Sequence, residues 1–264
     1  MPIHHPISFA QYKLLEGMPN SLLKHIDRSP RHLWHAQQHP MHATPAMVAG
    51  SLADHLLFGT EFAYAVSPYD DYRTKEAKQW REDQHAAGIA VVKQNDLTEI
   101  SFMVGHIKAH PAVLEIMQSG RSQVGITHTL DHPSGVPIPV KGLVDWVSDE
   151  VACLADLKTT TVASPREFAA HVVNMGYDAQ AAYYLDIWKA ITGEDLAFVW
   201  IVAEVDPPNE VIVYHATPEV IARGREVNAA RLNRYAEVVK TGAWVGYPET
   251  LQPLSLPPWA APKA

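Results

Sequence analysis

Apolar positions in this chain recur with two different periods, and the change falls near residue 120. Before it the spacing is helical. The stretch "MPNSLLKHIDRSPRHLWHAQQHP" (18–40) predicts short helices, with an Asn/Ser start, a break at Ser29-Pro30 and a stop at Pro40. In "TPAMVAGSLADHLLFG" (44–59), Thr44 is placed to cap a further helix, Pro45 takes its first position and Gly59 ends it. Residues 96–119 read as another amphipathic helix, interrupted at Pro111.

From about residue 123 the period shortens to that of strands. "QVGITHTL" and "GVPIPVKGLVDWV" are separated by the turn signal "DHPSG", and "VACLADLKTT" follows a tight Ser148-Asp149-Glu150 connection, so three consecutive antiparallel strands are expected. Ser164, Pro165 and Glu167 have the spacing of a helix start, with the serine as cap and the glutamate as its capping-box partner. "YDAQAAYYLDIWKAIT" predicts a longer helix ending at Gly193, the strands "LAFVWIVAEV" and "EVIVYHA" flank Pro207-Pro208, and Thr217-Pro218 opens a last helix running to about Lys240. No internal repeat or sharp composition break divides the chain. The expected architecture is therefore one α/β (α+β) domain over 1–264: a mainly helical part at 1–119, an α/β core at 120–242, and a proline-rich tail at 243–264, either an ordered wrap or a flexible segment.

The second and third of those strands carry charges that a half-buried hairpin does not need. Side chains alternate along a strand, so Asp156 and Lys158 project from one face and Leu157 from the other. If Asp149 and Glu150 make the turn, Asp145 stands opposite Leu154 and diagonal to Asp156, roughly 7–8 Å away backbone to backbone. Both carboxylates then share a face with the lysine. Two ionised carboxylates this close repel, which raises at least one pKa unless a positive charge lies between them. One reading is local: Asp145 and Lys158 form a cross-strand salt bridge. The other is a divalent cation, for which hard oxygen donors select Mg²⁺ or Mn²⁺ over a soft metal. Such an ion polarises a phosphoryl oxygen and acidifies a bound water. Lys158, kept charged by its carboxylate neighbours, would stabilise developing negative charge.

Composition narrows the setting. At 264 residues, 47% hydrophobic and 19% charged, the chain has the make-up of a globular protein, not of a disordered or coiled-coil one. Its longest apolar run, "LAFVWIVA", is too short to cross a bilayer and "MPIHHPISFAQYK" holds no apolar signal stretch, so a cytoplasmic protein without a membrane partner is expected. Cys153 is the only cysteine, which excludes an intrachain disulfide, a cysteine-ligated iron–sulfur cluster and a zinc ribbon. A net charge of −8 does not favour a nucleic-acid partner, although carboxylates gathered at a metal site count towards that total.

"KGLVDWV", "ADLKTT" and "GYDAQAAYYLDIW" together resemble the PD-(D/E)xK nuclease superfamily, specifically its exonuclease VIII (RecE-like) and RecB-like exonuclease branch. "SPRHLWHAQ", "GSLADHLLFGTEF", "YDDYRTKEAKQW" and "SGVPIPVKG" recur in that family's order, so the resemblance covers most of residues 8–190. It implies a restriction-endonuclease-like core, a mixed central sheet flanked by helices with a helical N-terminal region, and a Mg²⁺-dependent deoxyribonuclease in which Mn²⁺ substitutes. By the same resemblance Asp145 and Asp156 are metal ligands, Leu157 lends a backbone carbonyl and Lys158 is catalytic. Gln180 and Tyr184 match the family's Q-x-x-x-Y. Four residues apart on a helix they face the same way, so the amide can reach the lysine or the scissile phosphate while the ring packs above.

Two positions depart from the family pattern. Its G-x-x-x-H would put a metal-binding histidine on the upstream helix, but Gly50 is followed at that spacing by Asp54, with His55 one place later. Spacing selects Asp54 and residue type selects His55. Neighbours on a helix diverge by about 100°, so one of the two is expected at the metal. The glutamate usual at the start of the first strand is Gln123 here, which implies a single metal or a weakened second one.

The family analogy implies a double-stranded DNA exonuclease that resects 5′ strands in the 5′ to 3′ direction. The 3′ single strand so exposed would pass to an annealing protein, and the enzyme would act on DNA ends as a toroidal trimer or tetramer. The iron–sulfur branch of the superfamily does not suit a chain with one cysteine. A catalytically impaired DNA-end-binding protein and a structure-specific endonuclease are the alternatives. Arg73, Lys75 and Arg81 in "DDYRTKEAKQWRED" are candidate DNA-backbone contacts, and "RGREVNAARLNRY" (223–235) is a second basic surface. His35 and His39 have the i, i+4 spacing of metal ligands but no accompanying acidic or cysteine ligand, and so read as surface histidines.

Overall fold

Local chemistry sets the ends of most elements. In the computed structural model, which describes residues 4–41, 43–256 and 260, a short strand β1 (His4–Pro6) leads into α1 (Phe9–Leu14). Ser8 and Gln11 close a capping box at the start of α1. After β2 (Met18–Pro19) come one α turn, α2 (Asn20–Leu23), a 3₁₀ turn over Lys24–Asp27, and α3 (Pro30–Gln38). The expected break is present: the Ser29 hydroxyl accepts from the His32 N–H, and Pro30 fills a position whose missing N–H costs nothing. Helix α4 (Pro45–Phe58) has its Thr44 cap and stops at Gly59, whose φ of 68° lies in the left-handed region.

Next come β3 (Tyr64–Val66), α5 (Lys75–Ala86) and β4 (Ala90–Val92), the two strands pairing in parallel. Strands of three residues are too short for an alternation to register, and the sequence pattern did not predict them. Pro111 divides α6 (Gln94–Ala109) from α7 (Pro111–Ile116), as expected.

The core sheet begins with β5 (Gly120–Asp131), β6 (Pro137–Ser148) and β7 (Cys153–Thr160), which pair antiparallel in sequence. Helices α8 (Pro165–Met175) and α9 (Tyr177–Thr192) then cross to β8 (Ala197–Glu204), which runs parallel to β7. A parallel step needs such a crossover. β9 (Val211–His215) returns antiparallel, and α10 (Pro218–Thr241) follows. The sheet has seven strands in the order β1-β5-β6-β7-β8-β9, with β2 parallel to β6 off that path. One helix start differs from expectation: the Ser164 hydroxyl bonds the Glu167 carboxylate, and its side chain caps no backbone N–H of α8.

Helices cover both faces of this mixed sheet. One apolar cluster joins Leu154, Phe198, Trp200 and Val202 to residues of α3, α8, α9 and α10. A second joins Cys153, Ala155, Leu157, Val199 and Ile201 to α4, α6 and α7. After α10, the Val245 carbonyl accepts from the Arg31 N–H at 3.0 Å and Tyr247 packs on His32, whereas residues 251–256 are exposed. The rest of the proline-rich tail, at 257–259 and 261–264, lies outside the described residues. Among the described residues no helix is long and apolar enough to cross a membrane.

The sheet forks at Asp145. The end of β6 pairs with β7 from Trp146↔Ala155 to Ser148↔Cys153, whereas Val140 and Lys141 pair with β2 on that same side. The connection is four residues long, 149–152, with Ala152 at a φ of 49°, and not the Asp149-Glu150 turn expected from sequence. Register therefore slips by two, and the next step beyond Trp146↔Ala155 sets Asp145 level with Asp156 instead of Leu154. Val144 and Val147 are three apart yet belong to the same cluster, so β6 exchanges its faces across Asp145. Gln123, its neighbour on β5, has a left-handed φ of 48°. Such a local reversal re-aims a side chain.

Candidate functional site

Where β6 and β7 part, backbone groups lose their ladder partners and side chains replace them. Asp145 Oδ2 accepts the Leu157 N–H at 3.1 Å. In an extended strand the N–H and C=O of one residue point to the same edge, so the Leu157 carbonyl faces the fork as well. Asp156 is 3% exposed, and Lys158 Nζ forms an ion pair with its Oδ2. The lysine's carboxylate partner is thus Asp156 on its own strand, not Asp145 across the hairpin. Gln180 Nε2 donates to Asp156 Oδ1 at 3.1 Å and lies 3.5 Å from the Tyr184 hydroxyl. The amide braces the Asp156 carboxylate.

Tyr184 packs on β6 where Gly142 leaves room, since a Cβ there would stand 2.7 Å from the ring's Cε1. The family resemblance pointed to the tyrosine but not to the glycine that admits it. Tyr177 was also missed. Its ring centroid lies 4.5 Å from Lys158 Nζ. Tyr177, Gln180 and Tyr184 stand at i, i+3 and i+7, one face of α9, and that spacing was the available signal.

The upstream helix α4, from the opposite layer, brings Asp54 to this group. The Asp54 charge acts on Asp145, the Asp156 charge acts on Asp54, and Asp54 Oδ1 is buried without a hydrogen-bond partner. The His55 Nδ1 bonds the Thr60 carbonyl, and its ring contacts Phe62 and Tyr64. Asp54 and His55, adjacent on the helix, point in different directions.

Desolvation, reinforced by the charge of Asp156, pushes the Asp54 carboxyl up to about 7, with Lys158 opposing. Burial, then Asp54 and Asp156, raises Asp145 well above the usual carboxylate range. For Lys158 burial disfavours the charge, but Asp156 and Asp145 outweigh it and the net shift is upward. When ionised, three carboxylates against one ammonium leave two negative charges in excess. In charge and in oxygen-donor chemistry this set fits a hard divalent cation. It is not a ready-made cage: among the described residues no three His, Cys, Asp or Glu side chains stand as a metal-holding group, and the ammonium is drawn onto Asp156.

The basic candidates lie elsewhere. Arg73 is 90% exposed beside Asp71, Lys75 is exposed at the start of α5, and the Arg81 guanidinium sits 4.6 Å over the Tyr72 ring. The arginines of the second basic surface have partners within the chain. Arg223 pairs with Asp178, Arg225 with Asp186, and Arg231 with Asp27 through two nitrogens, while Arg234 donates to the Asp27 carbonyl. Helix α10 therefore spends its arginines on docking. Gly224 seats it on α9, where a Cβ would come within 2.1 Å of the Asp178 carbonyl oxygen. His35 and His39 stack on each other, their ring centroids 4.3 Å apart.

The family described as "PDDEXK-like domain of unknown function (DUF3799)" matches residues 19–255. A candidate exonuclease from Eubacterium rectale has a similar fold, with a TM-score of 0.60 and 18% identity over 89% of this chain and 85% of its own. A phage-related exonuclease from Haemophilus somnus 129PT aligns with a TM-score of 0.34 and 12% identity over 88% of this chain and 100% of its own. No curated protein matches.

Proposed function

The chain belongs to the PDDEXK-like domain family DUF3799, within the PD-(D/E)xK nuclease superfamily, and on that premise we propose that it is a divalent-metal-dependent deoxyribonuclease acting from double-stranded DNA ends. The observation that carries the proposal is the meeting of Asp54, Asp145, Asp156 and Lys158 at the β6–β7 fork.

In this reading Asp54, Asp145 and Asp156, with the Leu157 carbonyl, hold Mg²⁺ or Mn²⁺. When bound, that ion supplies Lewis-acid polarisation of a phosphoryl oxygen and acidifies a coordinated water. Lys158 donates to the phosphoryl oxygens as negative charge develops on them. Gln180 fixes the Asp156 carboxylate through Oδ1, and Tyr184 on Gly142 keeps α9 close to β6. Arg73, Lys75 and Arg81 track the DNA backbone from the α5 segment.

The same reading gives resection of 5′ strands in the 5′ to 3′ direction by a cytoplasmic homo-oligomer, toroidal by family analogy, supplying 3′ single strands to an annealing protein. Its support is the ordered series of family segments over residues 8–190. The test is digestion in Mg²⁺ of linear duplexes labelled at either end, beside a covalently closed circle. Release of the 5′ label first, with the circle intact, is expected. Cleavage of the closed circle would replace the exonuclease with an endonuclease, and earlier release of the 3′ label would reverse the polarity.

A further inference from the structure

We propose that Tyr177 is a positioning residue for Lys158, its ring face holding the ammonium at the fork by cation–π attraction. The proposal rests on the nuclease reading above. The 4.5 Å from Nζ to the ring centroid is inside the range of about 6 Å over which such attraction operates. The lysine side chain is 16% exposed, so little water competes.

The ammonium also pairs with Asp156, but the two attractions differ in kind. Asp156 belongs to the proposed metal set, and charge it shares with a cation is withdrawn from the lysine. An aromatic face attracts an ammonium without offering the carboxylate or carbonyl oxygen that a hard cation takes. Tyr177 therefore holds Lys158 without competing for the metal.

The ring's position is built into the α8–α9 turn. Gly176, at a φ of 75°, ends one helix and opens the next, which puts Tyr177 in the first turn of α9. The following residue, Asp178, is 1% exposed and paired with Arg223, and its carbonyl is accommodated by Gly224. Phe168 contacts the Tyr177 ring at 6.2 Å. The Tyr177 hydroxyl makes no hydrogen bond among the described residues, so the ring and not the hydroxyl carries the role.

The experiment compares steady-state hydrolysis of linear duplex DNA in Mg²⁺ by the wild type, Lys158→Ala, Tyr177→Phe, Tyr177→Leu and chains carrying fluorinated phenylalanines at position 177. Tyr177→Leu is expected to lose about tenfold in kcat with KM unchanged, and Tyr177→Phe to restore kcat to within about twofold. Each added fluorine weakens the ring quadrupole and lowers kcat a further step, which a space-filling role would not produce. Independently of activity, the Lys158 methylene protons next to Nζ show an upfield ring-current shift in the wild type and Tyr177→Phe that disappears in Tyr177→Leu. Wild-type kcat in Tyr177→Leu, indifference to fluorine, or an unmoved Lys158 signal overturns the proposal. A wild type that leaves DNA intact, or a fully active Lys158→Ala, sinks the nuclease reading instead, and the Lys158 signal then decides the contact alone.

Discussion

Asp54 and Asp145 both have their carboxyl groups raised, Asp54 to about 7, by burial and by neighbouring carboxylates. An acid whose folded pKa exceeds its unfolded value binds its proton more tightly when folded, so its contribution to stability is whole below the unfolded value, near 3.9. It is lost as pH rises through the folded value. Metal-free protein should therefore melt at a lower temperature at pH 8 than at pH 5. Asp54→Asn should flatten that fall, and Mg²⁺ should raise Tm more at pH 8, where the carboxylates are ionised. Calorimetric scans at the two pH values, with and without Mg²⁺, measure all three differences. A metal-free Tm that climbs over the same interval in the wild type would refute the clustering of these carboxylates.

The contact between β6 and α9 depends on one glycine. Gly142→Ala places a Cβ 2.7 Å from the Tyr184 ring. Denaturant unfolding should show a loss of about 1–3 kcal/mol, the usual cost of overpacking, and Tyr184→Leu in the same chain should recover part of it. An unchanged midpoint in Gly142→Ala would mean that α9 is free to shift. Elements with a chemical start and stop were legible in the sequence: α4 between Thr44 and Gly59, α10 from Thr217-Pro218, and the Pro111 break between α6 and α7. Alternation showed the three antiparallel strands and the pairing of Asp156 with Lys158 on one face. The fork was not legible, because it arises from a four-residue turn, the left-handed Gln123 and β2 occupying the edge of β6, and no periodicity encodes these. The family pattern pointed to the Asp54–His55 pair, Gln180 and Tyr184, but not to Tyr177, which shares the helical face of the last two, or to Gly142.

A net charge of −8 spreads over a molecule whose carboxylates are partly gathered at the fork and three of whose four α10 arginines are paired with its own acids. Among the exposed cations of the α5 segment, Arg73 and Lys75 are the ones proposed to contact DNA. Each phosphate contact removed should shallow the dependence of log affinity on log salt by about 0.9. Arg73→Ala and Lys75→Ala, titrated with duplex ends in Ca²⁺ at several salt concentrations, should each weaken binding to all sequences alike. A wild-type salt slope in both variants would move the DNA path away from α5.

The account depends most on cation-dependent hydrolysis at the fork. A time course of linear duplex degradation by the wild type and Asp156→Ala, in Mg²⁺ and in chelator, tests this directly. The wild type should degrade the duplex in Mg²⁺ and stop in chelator, and Asp156→Ala should be slower by at least about 100-fold with its fold intact. Equal rates in the two proteins, or wild-type degradation that continues in chelator, would contradict it.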